Sequence, residues 1–516
     1  MIEQQFISIP DMIAIHARTR AAVTAWIDEG VSFTWRQFDQ DIGQAADELA
    51  GRGVRRGDPV ALLATSSYWT WSQAFGIMRA NGVVTPLNAM LRPQTLAGLL
   101  SDAGARILLA GAGHEQLARE ILGQLPPAAR PDLVLQGAGG QPGPAGRSSH
   151  PARGFIEPGD AINIIYSSGA TGLPKGIVHS HQARAHFAAL TASMMQFRAG
   201  ARTFVTTPPH TNGSWIMILP TIYVGGTTIT AGPFSAGTFL QVLAEHRPTN
   251  VLLVPTMLHA IFAHPQAPAA DWTCFDFIIT GGSHTDPEEK VRIMDATGDR
   301  LGELWGLTEG VLTVMQPADM RAHLSSAGRV TPENDVRVIG EHGGELPFGE
   351  VGELVGRSTH LMLRYHNRPE ATSELIWRSP DGLEYLRTGD LGTIDPDGWV
   401  TIRGRKKDMI KSGGLNVFPA DIEPVLLAHE AVGECAVVGV PDPKWGETPV
   451  GFVVLSDGQA AGTGAIQEWV NERVEKTQRL RDVVIVSELP RNSIGKVIKG
   501  ELRDQYGGTP VRSHRL

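Results

Sequence analysis

Residues 161–176 read AINIIYSSGATGLPKG, an apolar run followed by a loop of hydroxyls, glycines and one lysine. The first six residues predict a buried strand. Glycines let backbone N–H groups approach a ligand closely, and Lys175 adds a positive charge, so the loop suits a phosphate group. It is not a Walker A loop, because Pro174 stands where that pattern requires its second glycine and Gly176 where it requires a hydroxyl. The loop therefore predicts a phosphate site of another kind.

Bulk composition restricts the class of protein. The chain has 516 residues, 42% hydrophobic and 19% charged, so we expect a globular protein of several domains. Its net charge of −9, from 45 basic and 54 acidic residues, argues against nucleic-acid binding. Two distant cysteines, Cys274 and Cys435, argue against a disulfide framework and favour a reducing, cytoplasmic location. We expect neither a transmembrane segment nor a signal peptide, because no long apolar stretch occurs.

The pattern of apolar residues changes twice along the chain. Up to about residue 330, helical and strand patterns alternate, which predicts parallel sheets covered by helices. Short strands separated by Gly, Asp and Pro turns then predict a β subdomain. A polar, glycine-rich stretch precedes a final small α+β pattern. We therefore predict an α/β protein with a large N-terminal domain over 1–404, a hinge at 405–408 and a small α+β C-terminal domain over 409–516.

Later polar stretches follow predicted strands or turns. They are TGGSH (280–284), LWGLTEG (304–310), RTGD (387–390), GRKKDMIKSGGLNV (404–417) and PRNSIGK (490–496). Taken singly, each has an ordinary interpretation: Asp390 caps a turn, Glu309 is a surface charge and Lys496 is a solvated lysine. Their order along the chain is more informative than any one of them.

In that order the stretches resemble the motifs of the adenylate-forming superfamily, which includes acyl-CoA synthetases, firefly luciferases and peptide-synthetase adenylation domains. The resemblance covers nearly the whole chain, from YSSGATGLPKG through PPHTNGSW (208–215) to Lys496. It implies an enzyme that uses ATP to convert a carboxylic acid to an acyl-AMP anhydride and then passes the acyl group to coenzyme A. Such an enzyme must bring two anions together and stabilise charge at the α-phosphate.

The resemblance assigns the residues around the triphosphate by motif position. Thr308 is expected at the α-phosphate, Glu309 as a ligand of Mg²⁺, and Lys496 between the acyl carboxylate and the α-phosphate. Ala170 departs from the family pattern, which has Thr or Ser there, so the loop carries one hydroxyl fewer. The residues expected around the β- and γ-phosphates are Ser167, Ser168, Gly169, Thr171, Gly172 and Lys175.

The adenosine is assigned in the same way. Trp305 is expected to stack on adenine, where the family more often has Tyr or Phe, and Gly281 and Gly282 are expected to line the base pocket. Asp390 is expected to accept hydrogen bonds from the ribose hydroxyls. Arg405 is expected on the ribose or phosphate side.

The resemblance also implies a second half-reaction, in which the small domain rotates about a hinge at Lys407. The rotation withdraws Lys496 and presents another face for thioester formation. Gly413 and Gly414 resemble the glycine pair that lets a pantetheine arm pass close to the backbone. Trp445 is expected near the CoA nucleotide, with interdomain packing as its alternative interpretation.

The acid site is assigned mainly to PPHTNGSW. His210 matches the position of a gate residue beside the acyl carboxylate. The alternative interpretation is a core histidine whose hydrogen bonds are all made within the protein. The segment carries no acidic residue to bind an α-ammonium group, so we expect a hydrophobic acid, whether fatty, alicyclic or aryl. Gly282 and Gly306 are expected to leave space for its chain or ring. The predicted lining residues are Asn212, Gly213, Trp215, Gly281, Gly306 and Val311.

Other functions compete with a CoA ligase. One is an adenylating enzyme that loads its acid onto a carrier protein, and another is a luciferase-type oxygenase. A non-catalytic nucleotide-binding homologue belongs to a different class, and the presence of Lys496, Arg405, Asp390 and Glu309 argues against it. We expect a small carboxylic acid and CoA as partners. A homodimer is a further possibility that the sequence does not decide.

Overall fold

The computed structural model describes residues 6–137, 155–167, 174–283, 285–456, 458–491 and 496–508. The chain divides into two compact units. The first comprises 1–324, 331–335 and 357–376, and the second comprises 325–330, 336–356 and 377–516. The strands of the predicted β subdomain thus share a unit with the tail, while the boundaries at 404 and 408 stay a prediction.

Most helices of the first unit begin where the sequence supplies a side-chain cap or a proline. Ser8 and Thr34 form capping boxes at two of them. The three- and four-residue spacings of Phe38, Ile42, Ala45 and Leu49 predict one face of a helix, and all four are buried. The helices are α1 Ile9–Thr19, α2 Trp35–Gly51, α3 Tyr68–Arg79, α4 Pro93–Ala103, α5 Glu115–Gly123, α6 His181–Met194, α7 Asn212–Val224, α8 Ala236–His246, α9 Pro255–Phe262, α10 Pro287–Thr297, α11 Pro317–Met320 and α12 Pro369–Glu374.

Strands are numbered along the whole chain. Those of the first unit are β1 Thr24–Asp28, β2 Val31–Thr34, β3 Pro59–Leu63, β4 Val83–Pro86, β5 Ile107–Ala110, β6 Asp132–Leu135, β7 Ala161–Ser167, β8 Lys175–Ser180, β9 Arg202–Phe204, β10 Thr227–Thr230, β11 Asn250–Leu252, β12 Phe277–Gly281, β13 Leu301–Gly306, β14 Leu312–Met315 and β17 Arg364–Tyr365.

These strands form two sheets. One has the order β17-β8-β7-β4-β3-β5-β6 and the other β14-β13-β12-β11-β9-β10-β1-β2. The predicted parallel pairing is confirmed in the middle of both sheets, but β7 with β8, β8 with β17, β13 with β14 and β1 with β2 are antiparallel. Only residues 168–174 connect β7 to β8, and a parallel crossover needs a dozen or more, so this connection is a hairpin.

The core of the first unit lies between the sheets and their helices. Four tryptophans, Trp26, Trp35, Trp71 and Trp215, are at most 1% exposed. Trp71 and Phe75 pack together in this core. In the part of the chain that the structure describes, no helix combines the length and the apolar character needed to cross a membrane.

The second unit contains two sheets of five strands. The first has the order β15-β16-β19-β18 with β20 on β19, and the second has β22-β21-β24-β23 with β25 on β24. Its helices are α13 Pro419–Leu427, α14 Thr463–Asn471 and α15 Lys499–Gly508. Its strands are β15 Asn334–Ile339, β16 Gly352–Ser358, β18 Ile376–Arg378, β19 Glu384–Ile394, β20 Val400–Arg405, β21 Ile410–Ser412, β22 Leu415–Val417, β23 Val432–Asp442, β24 Gly446–Leu455 and β25 Asp482–Ile485.

Candidate active site

The predicted phosphate loop joins the two strands of a hairpin. Ser167, the last residue of β7, lies opposite Lys175, the first of β8, in the antiparallel ladder. The hairpin therefore fixes both ends of the loop. Of the predicted phosphate ligands, Ser168, Gly169, Thr171 and Gly172 lie outside the described residues, as does Ala170.

Lys175 and Glu309 both contact Tyr365, the first at its ring and the second at its hydroxyl. The Nζ atom of Lys175 lies 4.8 Å from the ring centroid of Tyr365, within cation–π distance. The Oη atom of Tyr365 donates a 2.7 Å hydrogen bond to Oε1 of Glu309. Tyr365 is 6% exposed, so its ring is held by packing. A lysine from the glycine-rich loop and a carboxylate from LWGLTEG are thereby held close together.

The Thr308–Glu309 segment is a tightly held turn between β13 and β14. Leu307 N–H donates to the Val311 carbonyl at 2.9 Å, and Gly310 N–H donates back to the Leu307 carbonyl at 3.0 Å. The carbonyl of Glu309 accepts from Met362 N–H at 2.8 Å. That of Thr308 accepts from the His179 ring, also at 2.8 Å. With both carbonyls fixed, the two side chains leave the backbone at set positions.

The carboxylate of Glu309 fits a magnesium ion delivered with a nucleotide. Among the described residues no group of three or more His, Cys, Asp or Glu side chains could hold a metal ion, so a cage made by protein ligands alone is absent there. Mg²⁺ often takes only one or two protein carboxylates and completes its shell with phosphate oxygens and water. Glu309 would supply such a carboxylate, and the ion would neutralise phosphate charge.

Two of the glycines predicted at the adenine and acyl pockets, Gly281 and Gly306, serve close backbone packing. A Cβ at Gly281 would lie 2.4 Å from the Leu304 carbonyl oxygen on the neighbouring strand. One at Gly306 would lie 2.8 Å from the Val311 carbonyl. The Val311 carbonyl fills the Cβ direction of Gly306, which accounts for a glycine there, and space for substrate beside Gly306 stays a prediction. Gly282 adopts φ +87° with only a Val254 methyl 4.0 Å away.

Residues predicted for the acid site begin helix α7 or precede it. His210 is half-buried, and burial lowers its pKa to about 4, so its ring is neutral near pH 7. Asn212 and Gly213 form the first turn and are partly exposed. Trp215 and Val311 are 0% and 1% exposed. This gives both of them packing roles, and their place in an acyl pocket stays a prediction. Trp305 is half-buried at the end of β13.

In the second unit the structure brings Asp390, Arg405 and Lys496 together. Asp390 and Arg405 are partners on β19 and β20, with Nε of Arg405 2.6 Å from Oδ1 of Asp390. Burial lowers the pKa of Lys496, and the charges of Arg405 and Lys407 act in the same direction, whereas Asp390 and Asp408 oppose it. Three residues assigned to ribose, phosphate and acyl transfer thus influence one another electrostatically.

The predicted hinge residue Lys407 lies in a short 3₁₀ turn, Lys406–Asp408, directly after β20. The flanking charges are paired: Lys406 with Glu353 at 2.9 Å and Asp408 with Arg503. Rotation about this turn stays a prediction.

The residues predicted on the CoA side also lie together. Gly413 and Gly414 form the two-residue turn between β21 and β22 and have φ of +60° and +83°, as a type I′ hairpin turn requires. Gly413 N–H donates to the Trp445 carbonyl at 2.7 Å. The Trp445 ring is 46% exposed and covers Gly413, where an added Cβ would lie 2.9 Å from a ring carbon. An exposed ring beside side-chain-free backbone suits a flat group.

Comparison with known proteins assigns the chain to a family. The sequence profile described as "AMP-binding enzyme" matches residues 13–366, and that of the "AMP-binding enzyme C-terminal domain" matches 421–496. The chain belongs to the AMP-binding enzyme family. This membership makes it an enzyme of the adenylate-forming superfamily, and the predicted resemblance is confirmed.

Relatives of this AMP-binding enzyme match along nearly its whole length. It is 33% identical over 498 residues to feruloyl-CoA synthase of Amycolatopsis sp, covering 95% of this chain and 97% of that one. It is 32% identical to the long-chain-fatty-acid–CoA ligase FadD13 of Mycobacterium tuberculosis, covering 93% and 94%. The crystal structure of ATP-bound MatB from Rhodopseudomonas palustris matches with a TM-score of 0.86 and 25% identity, covering 97% and 99%. The predicted fold class is confirmed.

Sequence reasoning missed Tyr365, His179 and Arg184 in this AMP-binding enzyme. Tyr365 lies in an ordinary polar stretch with no signal of its own. A signal did exist for the others: Asn163 and His179 interrupt apolar strand patterns, AINIIY and GIVHSH, and both are at most 1% exposed. A polar side chain inside a buried strand requires a buried partner. Arg184 is that partner.

Proposed function

We propose that the protein is an ATP-dependent acid–CoA ligase that activates a hydrophobic carboxylic acid through an acyl-AMP intermediate. The observation that carries the proposal is the meeting of Lys175 and Glu309 on Tyr365. It sets a cation suited to phosphate oxygens beside a carboxylate suited to the metal ion that accompanies them.

In the first half-reaction, an oxygen of the acid carboxylate attacks the α-phosphorus of ATP. The bond from that phosphorus to the bridging oxygen of the β-phosphate breaks, and pyrophosphate leaves. Lys175 would bind the β- and γ-phosphates, while Thr308 would donate to the α-phosphate. Lys496 would neutralise the charge shared by the carboxylate and the α-phosphate, which is an electrostatic contribution of the strongest kind.

In the second half-reaction, the thiolate sulfur of coenzyme A attacks the acyl carbon. The bond from that carbon to the phosphate oxygen breaks, AMP leaves, and the thiol proton is released to solvent. The Gly413–Gly414 turn would let the pantetheine arm run along the backbone. Trp445 would offer its exposed ring to the nucleotide of CoA.

The class of acid follows from the charge of the predicted acid site. His210 is neutral near pH 7, because burial lowers its pKa to about 4, and the first residues of α7 are uncharged. A charged α-ammonium group would therefore be buried without a partner there, at a cost of several kcal/mol. A hydrophobic acid carries no such group. The similarity to a feruloyl-CoA synthase and a long-chain-fatty-acid–CoA ligase supports both aryl and fatty acids.

A pyrophosphate-release screen tests the proposal. Purified full-length protein is given ATP, Mg²⁺ and one acid from an aryl, alicyclic, fatty or amino-acid panel, with CoA, a holo-carrier protein or neither. We expect one hydrophobic class to stimulate release and CoA to sustain turnover. Turnover with the carrier alone would replace this function with carrier loading. Absence of stimulation by every acid would indicate a non-catalytic nucleotide-binding homologue.

A further inference from the structure

Helix α6 carries a buried arginine, Arg184, whose described hydrogen-bond partners are all neutral. Arg184 is 2% exposed, and among the described residues no carboxylate forms an ion pair with it. Burial lowers its pKa to about 9, so the guanidinium remains charged near pH 7. Its Nε and both terminal nitrogens instead bind neutral side chains: Asn163, Asn212 and His179. A buried cation whose partners are neutral groups is costly to the fold, so we expect the charge of Arg184 to have a function.

One arm of the guanidinium reaches the predicted acid site. Nη1 of Arg184 donates to Oδ1 of Asn212 at 2.9 Å. Since arginine can only donate, it fixes the amide of Asn212 with its oxygen inward and its NH₂ group directed away. The guanidinium also lies over the Trp215 ring, 5.5 Å from its centroid, and Trp215 Nε1 donates to the Pro209 carbonyl at 3.1 Å. The start of α7 and the residue before His210 are therefore both held from one point.

The other arm reaches the nucleotide side. Nε of Arg184 donates to Oδ1 of Asn163 at 3.0 Å, which turns the Asn163 NH₂ group toward Nδ1 of His179, 3.1 Å away. Nη2 of Arg184 lies 3.3 Å from the same Nδ1. Two donors directed at Nδ1 require it to be the unprotonated nitrogen, so the proton is on Nε2. His179 Nε2–H then donates to the Thr308 carbonyl at 2.8 Å.

We infer that Arg184 is a positioning residue that aligns the two substrate subsites, holding Asn212 on the acid side and, through His179, Thr308 on the nucleotide side. The inference rests on the proposed function for the roles of Asn212 and Thr308. Arg184 itself touches neither substrate. Its effect is to keep the attacking carboxylate and the α-phosphate in register, and small misplacements of reacting groups lower rates strongly.

The test compares Arg184→Met and Arg184→Lys with a matched control, Arg79→Met. Arg79 is also 2% exposed and lies in the same unit, and its described contacts are with the Asp39 carboxylate and carbonyl, outside the predicted site. The assays are acid-dependent pyrophosphate release with ATP and acid varied separately, ATP affinity by calorimetry, and urea unfolding. His179→Ala and Asn212→Ala serve as single-arm variants.

We expect Arg184→Met to lower kcat and to raise KM for both substrates, with kcat/KM reduced at least about tenfold, the effect of one lost charge-assisted hydrogen bond. Lysine lacks the planar fork, so Arg184→Lys should not restore activity. His179→Ala should raise KM for ATP alone and Asn212→Ala KM for the acid alone. Arg79→Met should lose stability and keep its kinetic constants.

Wild-type kinetic constants in Arg184→Met would overturn the inference. So would equal losses of activity in Arg184→Met and Arg79→Met that follow the unfolded fraction, because that result indicates a structural role only. If the wild-type protein releases no pyrophosphate with any acid, the proposed function fails by itself. ATP affinity then tests the link from Arg184 through His179 to Thr308. Weaker ATP binding in Arg184→Met and His179→Ala supports this link, and unchanged ATP binding overturns it.

Discussion

Removing one hydroxyl group, in Tyr365→Phe, tests whether the contact between Tyr365 and Glu309 matters for adenylation. Phenylalanine keeps the ring on which Lys175 lies, while the substitution deletes the 2.7 Å hydrogen bond to the Glu309 carboxylate. A hydrogen bond to a charged group contributes about 1.5–3 kcal/mol. If that energy positions Glu309 for the nucleotide and its metal ion, its loss lowers kcat/KM for ATP roughly 10- to 100-fold.

The assay is acid-dependent pyrophosphate release at several Mg²⁺ concentrations. Tyr68→Phe is the matched control, because Tyr68 is also buried and its hydroxyl donates to Asp41 at 2.6 Å, away from the predicted site. Both variants lose a tyrosine–carboxylate hydrogen bond, so we expect similar losses of stability. Only Tyr365→Phe should lose activity and require more Mg²⁺. Wild-type kcat/KM in Tyr365→Phe would refute the role assigned to this contact.

Two further predictions concern the CoA side and the effect of acid. Gly413→Ala places a Cβ 2.9 Å from the Trp445 ring at φ +60°, so thioester formation should fall while acid-dependent pyrophosphate release persists, measured with and without CoA. His181 is buried with a pKa of about 4, so its neutral form stabilises the fold above pH 6.5, and this stability falls as the pH drops toward 4. Urea unfolding of the wild type should lose about 2 kcal/mol more between pH 7.5 and 5 than that of His181→Gln.

Each of these has its own control. Gly458 also has a positive φ, +74°, but has no neighbour within 4 Å, so Gly458→Ala carries the backbone strain without the clash. Equal thioester rates in Gly413→Ala and Gly458→Ala would show that the Trp445 contact is irrelevant to CoA. The histidine prediction is a difference between two proteins, which cancels the contributions of His179, His210 and His360. Equal pH dependence in wild type and His181→Gln would contradict it.

Local patterns predicted most of the helices and strands. The α2 face of Phe38, Ile42 and Leu49 and the buried β7 run are set by neighbours in the sequence, which periodicity reports directly. The antiparallel pairing of β7 with β8 was also decided locally, by the length of the loop. It was missed because the alternation of elements alone suggests a parallel sheet.

The sequence predicts residues of the candidate site only where they belong to one of the quoted motifs. Gly306 shows the limit of this approach, since the sequence does not reveal that the Cβ direction of this glycine faces the Val311 carbonyl. Arg184 shows another, because its partners Asn163 and Asn212 come from different elements and only the fold brings them together. A buried polar residue indicates that a partner exists, but not which one.

The claim on which the proposed function depends is that Lys496 serves adenylation and not thioester formation. The most direct measurement is acid-dependent exchange of labelled pyrophosphate into ATP by wild type and Lys496→Ala, alongside conversion of preformed acyl-AMP and CoA to thioester. We predict that the variant loses exchange by orders of magnitude and still makes thioester from acyl-AMP. Exchange at the wild-type rate in Lys496→Ala would contradict the account.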